Sequence, residues 1–162
     1  MSHNSVVFEG KNINIVNSSF LFHVSDQDGI CIFEPRPVRI EVWQDLCVRN
    51  KKLKSRLRND EVPKVVWTID SKRLPNYLLP RDCPRVCCFA KGKRKIFVET
   101  SWKDRISRAK VFVYEFSRDN FELADSIAGY YVSFNMEKPR SKYNFNDVIK
   151  AMEEFGVDFQ FV

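Results

Sequence analysis

Short runs of apolar, β-branched and aromatic residues recur along the chain, separated by turn residues. Runs of this length are typical of strands in a sheet that is covered on at least one face. The first two flank an Asp/Gly turn at residues 26–29, which predicts a β-hairpin. The predicted strands are residues 20–24, 30–33, 65–69, 86–90, 96–98, 111–116, 128–134 and 157–162.

Two segments have helical periodicity instead. Residues 43–58 carry an apolar stripe. Residues 146–155 repeat apolar side chains at helical spacing, with Asn146 placed as a cap and Gly156 as a stop. A further short helical turn is expected after Ile69.

These elements predict one β-rich α+β domain over residues 1–162, with a mixed or antiparallel sheet and two or three helices. We expect residues 1–19 to form an N-terminal extension. The basic stretch from about residue 38 to residue 60 is expected to be an insertion.

Composition limits the classes of protein that fit. Hydrophobic residues make up 44% of the 162 residues, which excludes a disordered chain, and charged residues interrupt every apolar run, so we expect no membrane span. The five cysteines and the absence of a signal sequence favour reduced thiols in the cytoplasm, or in the nucleus of a eukaryotic host. Because Cys87 and Cys88 fall in a run that predicts a buried strand, no metal site is expected.

The net charge of +6 favours anionic partners such as nucleotides or nucleic acid. The densest cluster of positive charge lies on the predicted helix of residues 43–58, which we call the basic helix. Its cationic side chains could follow a phosphate backbone. Alternatively, the helix is solvated, and the long stems of its Lys and Arg side chains cover its apolar stripe. A second basic cluster, residues 91–95, resembles a hairpin tip. The basic helix carries Arg49, Lys51, Lys52, Lys54, Arg56 and Arg58.

A loop stiffened by three prolines spans residues 74–85 and contains Arg81, Asp82 and Arg85. Two guanidinium groups on such a loop could grip a phosphate or carboxylate, with Asp82 orienting one of them. Alternatively, Asp82 pairs with the arginines and fixes the loop on the sheet. The sequence leaves both open.

His23 lies within an apolar strand and is followed by Ser25. A histidine in this setting is either a hydrogen-bonded structural residue or a group that contacts a ribose hydroxyl or an amide. Neither a glycine-rich phosphate loop nor a nucleophile elbow is found in the sequence, which disfavours kinases, Rossmann enzymes and serine hydrolases.

Several of these segments together resemble a family of small uncharacterised proteins with a PRDCPR signature, found here at residues 80–85. The resemblance covers about residues 20–162 and departs from the family pattern in the basic stretch. The other matching segments are residues 22–25, 33–36, 66–70, 74–77, 99–102, 114–116, 121–122 and 128–133.

A wider resemblance is to the ADP-ribosyltransferase-like superfamily. It implies an NAD site in which His23 holds the nicotinamide ribose and Thr68 and Tyr77 line the nicotinamide pocket. Tyr130 and Tyr131 belong to its third motif and are expected at the ligand. Tyr130 stands where relatives carry a carboxylate, so whether this domain transfers ADP-ribose is left open.

We therefore expect an ADP-ribosyltransferase-like domain that binds NAD or a related nucleotide near His23 and the residue 81–85 loop. The alternatives are a non-enzymatic module that binds RNA or DNA through the basic helix, and a protein-interaction domain. The sequence predicts no oligomeric state.

Overall fold

A computed structural model describes residues 4–7, 15, 18–57 and 61–162. Its helices are α1 (Ile40–Arg49), α2 (Lys51–Lys54), α3 (Lys103–Arg108) and α4 (Val148–Glu154), with 3-10 turns at Leu74–Tyr77 and Thr100–Trp102. Its strands are β1 (Asn4–Val7), β2 (Leu21–Ser25), β3 (Arg36–Pro37), β4 (Lys64–Asp70), β5 (Val86–Ala90), β6 (Lys93–Val98), β7 (Val111–Phe116), β8 (Glu122–Asp125), β9 (Tyr130–Ser133), β10 (Ser141–Phe145) and β11 (Asp158–Phe161).

The strands form two sheets. The larger has the order β1-β10-β7-β2-β4-β9-β8, and β3 pairs with β4 beside this path. Its pairs are antiparallel except for β1 with β10. The smaller sheet, β11-β6-β5, combines one parallel and one antiparallel pair. The prediction of an α+β domain with mixed or antiparallel sheets is therefore confirmed.

One face of the large sheet carries most of the core. At one end, α1 and α2 bury Trp43, Leu46 and Leu53 against the sheet. At the other end, the Leu74–Tyr77 turn, α3, α4 and the small sheet enclose a larger apolar cluster. The opposite face is covered at its centre by Phe33, which contacts Tyr114 and Phe116 edge-on. The segment that follows β2 thus runs across the sheet surface.

The predicted hairpin between residues 20–24 and 30–33 is wrong. β2 pairs with β4 and β7, and in residues 30–33 only Phe33 forms a bridge, to Glu137. The Tyr114 hydroxyl explains the difference, because it accepts a hydrogen bond from the Ile30 amide and donates one to the Gln27 carbonyl. These bonds hold the segment over the sheet face instead of beside β2.

Three other predictions need correction. The described residues contain four α-helices, not two or three, because the first predicted helix is replaced by α1 and α2, which meet at Asn50, and because α3 was not foreseen. α4 is capped by Asp147, whose carboxylate accepts from the Lys150 amide, and not by Asn146. β5 was expected to be buried and is exposed at every position, since it is the edge strand of the small sheet.

The N-terminal extension contributes β1, which pairs in parallel with β10. The basic stretch is anchored to the domain, because the Asn50 side chain donates a hydrogen bond of 2.7 Å to the Leu123 carbonyl on β8. Whether this stretch is an insertion stays a prediction. Across the described residues, no helix is long and apolar enough to span a bilayer.

Candidate functional site

The large sheet splits at His23. β2 and β4 pair only through Leu21 with Asp70 and Phe22 with Ile69, although β2 continues to pair with β7 as far as Ser25. At the point of separation, the His23 ring takes the place of the backbone ladder, because Nδ1 lies 2.8 Å from the Trp67 carbonyl oxygen. The ring therefore occupies the gap between two central strands.

This contact fixes the tautomer of the neutral His23 ring. A carbonyl can only accept, so Nδ1 carries the hydrogen and Nε2 of the neutral ring is a hydrogen-bond acceptor. Burial is the largest cause of a lowered pKa for His23, and the positive charges of Arg81 and Arg36 lower it further, against the opposing effect of the Trp67 carbonyl. Nε2 has no hydrogen-bond partner within the part of the chain that the structure describes.

Arg36 and Arg81 approach His23 from different segments. Arg36 lies on β3, which pairs with the opposite end of β4 from β2, and Arg81 lies in the proline-stiffened loop. Both are exposed, and neither forms an ion pair with a described carboxylate. We call His23, Arg36 and Arg81 the split site. It offers one half-buried hydrogen-bond acceptor and two guanidinium groups without an ion pair, and guanidinium groups are suited to binding an anion.

Arg85 and Asp82 of the same loop have structural partners. The Arg85 guanidinium donates to the carbonyls of Asn76 at 2.8 Å, Pro80 at 2.6 Å and Cys83 at 2.9 Å. Asp82 accepts two bonds of 2.8 Å from Arg105 on α3, and this lowers the pKa of the Asp82 carboxyl group. The loop is thus locked to its surroundings by both residues, and Arg81 is left outside these contacts. Asp82 pairs with α3 and not with the arginines of its own loop.

Tyr77 and Tyr130 lie on the other face of the sheet from His23. Neighbouring residues of β4 point to opposite faces: Val66 shares the cluster of Phe33, which the His23 ring contacts, whereas Trp67 contacts Tyr130. The Tyr77 and Tyr130 hydroxyls are 2.9 Å apart, and burial together with this bond raises the pKa of Tyr77.

The remaining predicted ligand residues are also engaged within the protein. Thr68 is 3% exposed, and its hydroxyl donates a 3.0 Å bond to the Tyr131 carbonyl. The Tyr131 ring lies under the Arg118 guanidinium at 4.8 Å. Of the residues predicted for one cleft, Arg81 acts on His23 through its positive charge, which lowers the pKa of the ring, whereas the Tyr77–Tyr130 pair lies on the other face of the sheet.

Carboxylates near the third motif are held by cations. Glu122 pairs with Arg56 at 3.0 Å, and Asp125 pairs with Arg49 at 2.9 Å. Asp125 also accepts from the Ile127 and Ala128 amides, and these bonds and the Arg49 pair outweigh the effect of burial and lower its pKa. Tyr130, the residue at the expected position of the carboxylate, carries a phenol instead.

The same ion pairs reduce the charge of the basic helix. Arg49 also pairs with Asp45, and Arg56 stacks over Phe134 at 5.0 Å. Lys51, Lys52 and Lys54 are exposed and have no ion pair with a described residue. Arg58 lies outside the described residues.

Two cavities have volumes of about 580 Å³ and 210 Å³. The larger is lined by Arg56, Lys64 and Phe134, and the smaller by Phe89, Arg94 and Phe155. His23 lines neither of these two cavities. Within the described ranges, no cluster of three or more His, Cys, Asp or Glu could hold a metal ion.

Arg36 was missed as a site residue. It follows Phe33, Glu34 and Pro35 in one of the segments that carried the family resemblance. Sequence periodicity could not connect it to His23, because the contact depends on the course of residues 26–35 over the sheet. An arginine directly after a proline that fixes the backbone was the available signal.

The fold and site define a small α+β domain with a split sheet and a cationic, histidine-centred surface at the split. The model of a family of unknown function (DUF6886) matches residues 22–95 and 89–162. The chain belongs to this family, and the prediction of membership in an uncharacterised family is confirmed. No curated protein and no solved structure matches the chain.

Proposed function

We propose that this protein binds NAD or a related nucleotide at the split site. The observation that carries the proposal is His23, whose Nδ1 is bound to the Trp67 carbonyl and whose Nε2 has no partner among the described residues. The positive charges of Arg36 and Arg81, which have no ion pair with a described residue, lower the pKa of this ring. A nucleotide diphosphate supplies the negative charge, and its ribose supplies hydroxyl donors.

Each residue has a distinct role in this proposal. His23 Nε2 accepts a hydrogen bond from a ribose hydroxyl, while Nδ1 stays bound to the Trp67 carbonyl and keeps the ring in place. Arg36 and Arg81 bind the phosphate oxygens with paired N–H donors. Arg85 and Asp82 act indirectly, because their contacts hold the loop that presents Arg81.

The proposed activity is binding, and we assign no transfer step. Transfer of ADP-ribose needs a carboxylate that stabilises the charge developing on the ribose. Glu122 and Asp125 are paired with Arg56 and Arg49, and Tyr130 faces Tyr77 across the sheet from His23. This arrangement supports an ADP-ribosyltransferase-like domain that recognises its nucleotide without turning it over.

The test is calorimetric titration of the purified protein with NAD and with ADP-ribose. His23→Asn is the informative variant, because the asparagine amide can still donate to the Trp67 carbonyl but offers nothing at the Nε2 position. We expect His23→Asn and Arg81→Ala each to weaken binding at least about tenfold, the effect of losing a hydrogen bond to a charged group.

Arg39→Ala is the matched control, since Arg39 is an exposed arginine with only a 3.9 Å contact to Glu41. It should bind nucleotide like the wild type. Absence of binding to the wild type, or equal loss in the Arg39 variant, contradicts the proposal. Binding of a single-stranded oligonucleotide that depends on Lys51, Lys52 and Lys54 would instead support the nucleic-acid alternative.

A further inference from the structure

The smaller cavity, of about 210 Å³, has no part in the nucleotide binding proposed above. It is lined by the β5–β6 hairpin, by the segment that follows β4 and by the C-terminal end of α4. Pockets for drug-sized ligands begin at roughly 300 Å³, so this cavity suits a ligand of about one ring and its substituent. Its lining contains no acidic residue and three cationic ones: Lys72, Lys93 and Arg94.

The Arg94 side chain lies on the core face of the small sheet. Ile96 and Val98 follow it at alternate positions of β6 and are buried, whereas Lys93 points to the opposite face. The Arg94 guanidinium donates a hydrogen bond to the Lys72 carbonyl. Its other N–H groups have no partner among the described residues, so they are open to a ligand in the cavity.

The positive charge of Arg94 is partly withdrawn from water. Burial is the largest cause of its lowered pKa, and the charge of Arg73 lowers that pKa further, against the effects of Cys87 and Asp70. Asp70 is itself paired with Arg73 at 2.8 Å, and Arg94 has no ion pair with a described carboxylate. An anion in the cavity would therefore stabilise the charged guanidinium and accept bonds from its open donors.

Two phenyl rings from different elements also line the cavity. Phe89 on β5 stands directly opposite Arg94 in the hairpin, so both side chains lie on the same face. Phe89 is 67% exposed, and Phe155 at the end of α4 is half-buried. No ring contact joins the two. A bound aromatic ring would thus cover apolar surface that now faces water.

We propose that the smaller cavity binds an aryl phosphate, a single aromatic ring that carries a phosphate monoester. The phosphate accepts hydrogen bonds from the open N–H groups of Arg94, and Lys72 adds positive charge. The ring lies against Phe89 and Phe155. A phosphate monoester carries about −1.5 to −2 charges at pH 7, which matches a lining of cations without a carboxylate. This inference goes beyond nucleotide binding and does not depend on it.

The experiment is an NMR titration of the ¹⁵N-labelled protein with phenyl phosphate. The amide resonances of Gly92 and Gly156, which line the cavity, should shift with a dissociation constant of about 1 mM or below. Inorganic phosphate and phenol each lack half of the ligand, so each should bind at least about tenfold more weakly. Benzoate has one negative charge and should bind more weakly than phenyl phosphate.

Arg94→Met removes the charge and should weaken the binding of phenyl phosphate at least about tenfold. Phe89→Ser changes an exposed side chain, so it keeps the test valid if the Arg94 variant misfolds, and it should weaken binding about fivefold. Arg108→Met is the matched control. Arg108 also donates to a backbone carbonyl, is exposed and does not line the cavity, so its variant should bind like the wild type.

Four results would overturn the proposal. The first is the absence of shifts at Gly92 and Gly156 with about 10 mM phenyl phosphate. The second is binding of inorganic phosphate, phenol or benzoate as tight as that of phenyl phosphate. The third is an equal loss of affinity in the Arg108 and Arg94 variants. The fourth is a loss of phenyl phosphate binding in His23→Asn, which would place this ligand at the split site.

Discussion

The split site and the basic helix are both rich in cations, but they use charge in opposite ways. In the basic helix, Arg49 and Arg56 are neutralised by carboxylates, and the lysines extend into solvent. At the split site, Arg36 and Arg81 have no described carboxylate partner and face a buried neutral ring. The basic helix holds more positive charge, but only at the split site do arginines without a carboxylate partner act on a histidine with an open acceptor.

This difference teaches that the number of cations in a segment does not locate an anion site. A solvated lysine loses little by having no partner, because water screens its charge. Arg36 and Arg81 are exposed as well, so what distinguishes the split site is the half-buried His23 ring, whose Nε2 can accept a hydrogen bond from a ligand. The predictions below test this contrast.

The largest effect should come from the apolar side of the basic helix. Leu53 is 1% exposed and packs between α2 and the sheet. Leu53→Ala should lower the free energy of unfolding by about 3 kcal/mol, because it removes buried apolar surface and leaves a cavity. Urea denaturation measures it, and a loss below about 1 kcal/mol would show that the helix is only loosely attached.

A smaller effect on the free energy of unfolding should distinguish Arg85 from Arg81, the two arginines of the proline-stiffened loop. Arg85→Ala removes the donors to three backbone carbonyls, which should cost about 2 kcal/mol of unfolding free energy. Arg81→Ala should leave stability unchanged while it weakens nucleotide binding. If Arg81→Ala destabilises the fold as much as Arg85→Ala, the division between supporting and binding arginines is wrong.

Sequence patterns predicted the central strands well. β4 and β7 are dense runs of β-branched and aromatic residues, and such runs seldom fit another structure. β10 was missed because Lys142 and Asn144 interrupt its aromatic residues, although the burial of Lys142 shows that its polar face is also covered. β5 has the composition of a core strand and lies at an edge, a position that only the topology determines.

The candidate site could also be predicted only in part, because the sequence gives residue types but not the topology that places them. His23 and Arg81 were identified as residue types suited to a nucleotide, and the positive charge of Arg81 is one of the causes that lower the pKa of His23. Arg36 required knowledge of how residues 26–35 cross the sheet. The separation of Tyr77 from His23 follows from strand alternation once the neighbours of β4 are known.

Acid should weaken the fold through His23. Its pKa is lowered from 6.5 in the native state, so the unfolded chain binds the proton more readily. The contribution of neutral His23 is complete above pH 6.5 and is lost as pH falls from there toward the lowered native pKa. Thermal unfolding should show this loss in the wild type and not in His23→Asn.

Asp82 and Asp125 lose their contributions to stability at lower pH than His23 does. Asp82 and Asp125 have pKa values lowered from 3.8, so their contributions are lost only as pH falls below that value. An identical decline between pH 6.5 and about pH 4.5 in wild type and His23→Asn would contradict the assignment of a neutral, buried His23.

The smallest effect is expected for the solvated side of the basic helix. Changing Lys51, Lys52 and Lys54 together to Glu should leave the unfolding midpoint and NAD affinity unchanged, since all three side chains are exposed. A large drop in midpoint would show that the lysine stems pack as part of the core. A loss of NAD affinity would place the ligand on the helix.

Proton NMR of the His23 ring tests the split site most directly. The chain has two histidines, so His23→Asn assigns the ring resonances without ambiguity. Binding of NAD should shift the His23 Cε1 proton and raise its pKa, because the diphosphate offsets the charges of Arg36 and Arg81. A His23 resonance and pKa that stay unchanged in the presence of saturating NAD would contradict the proposed site.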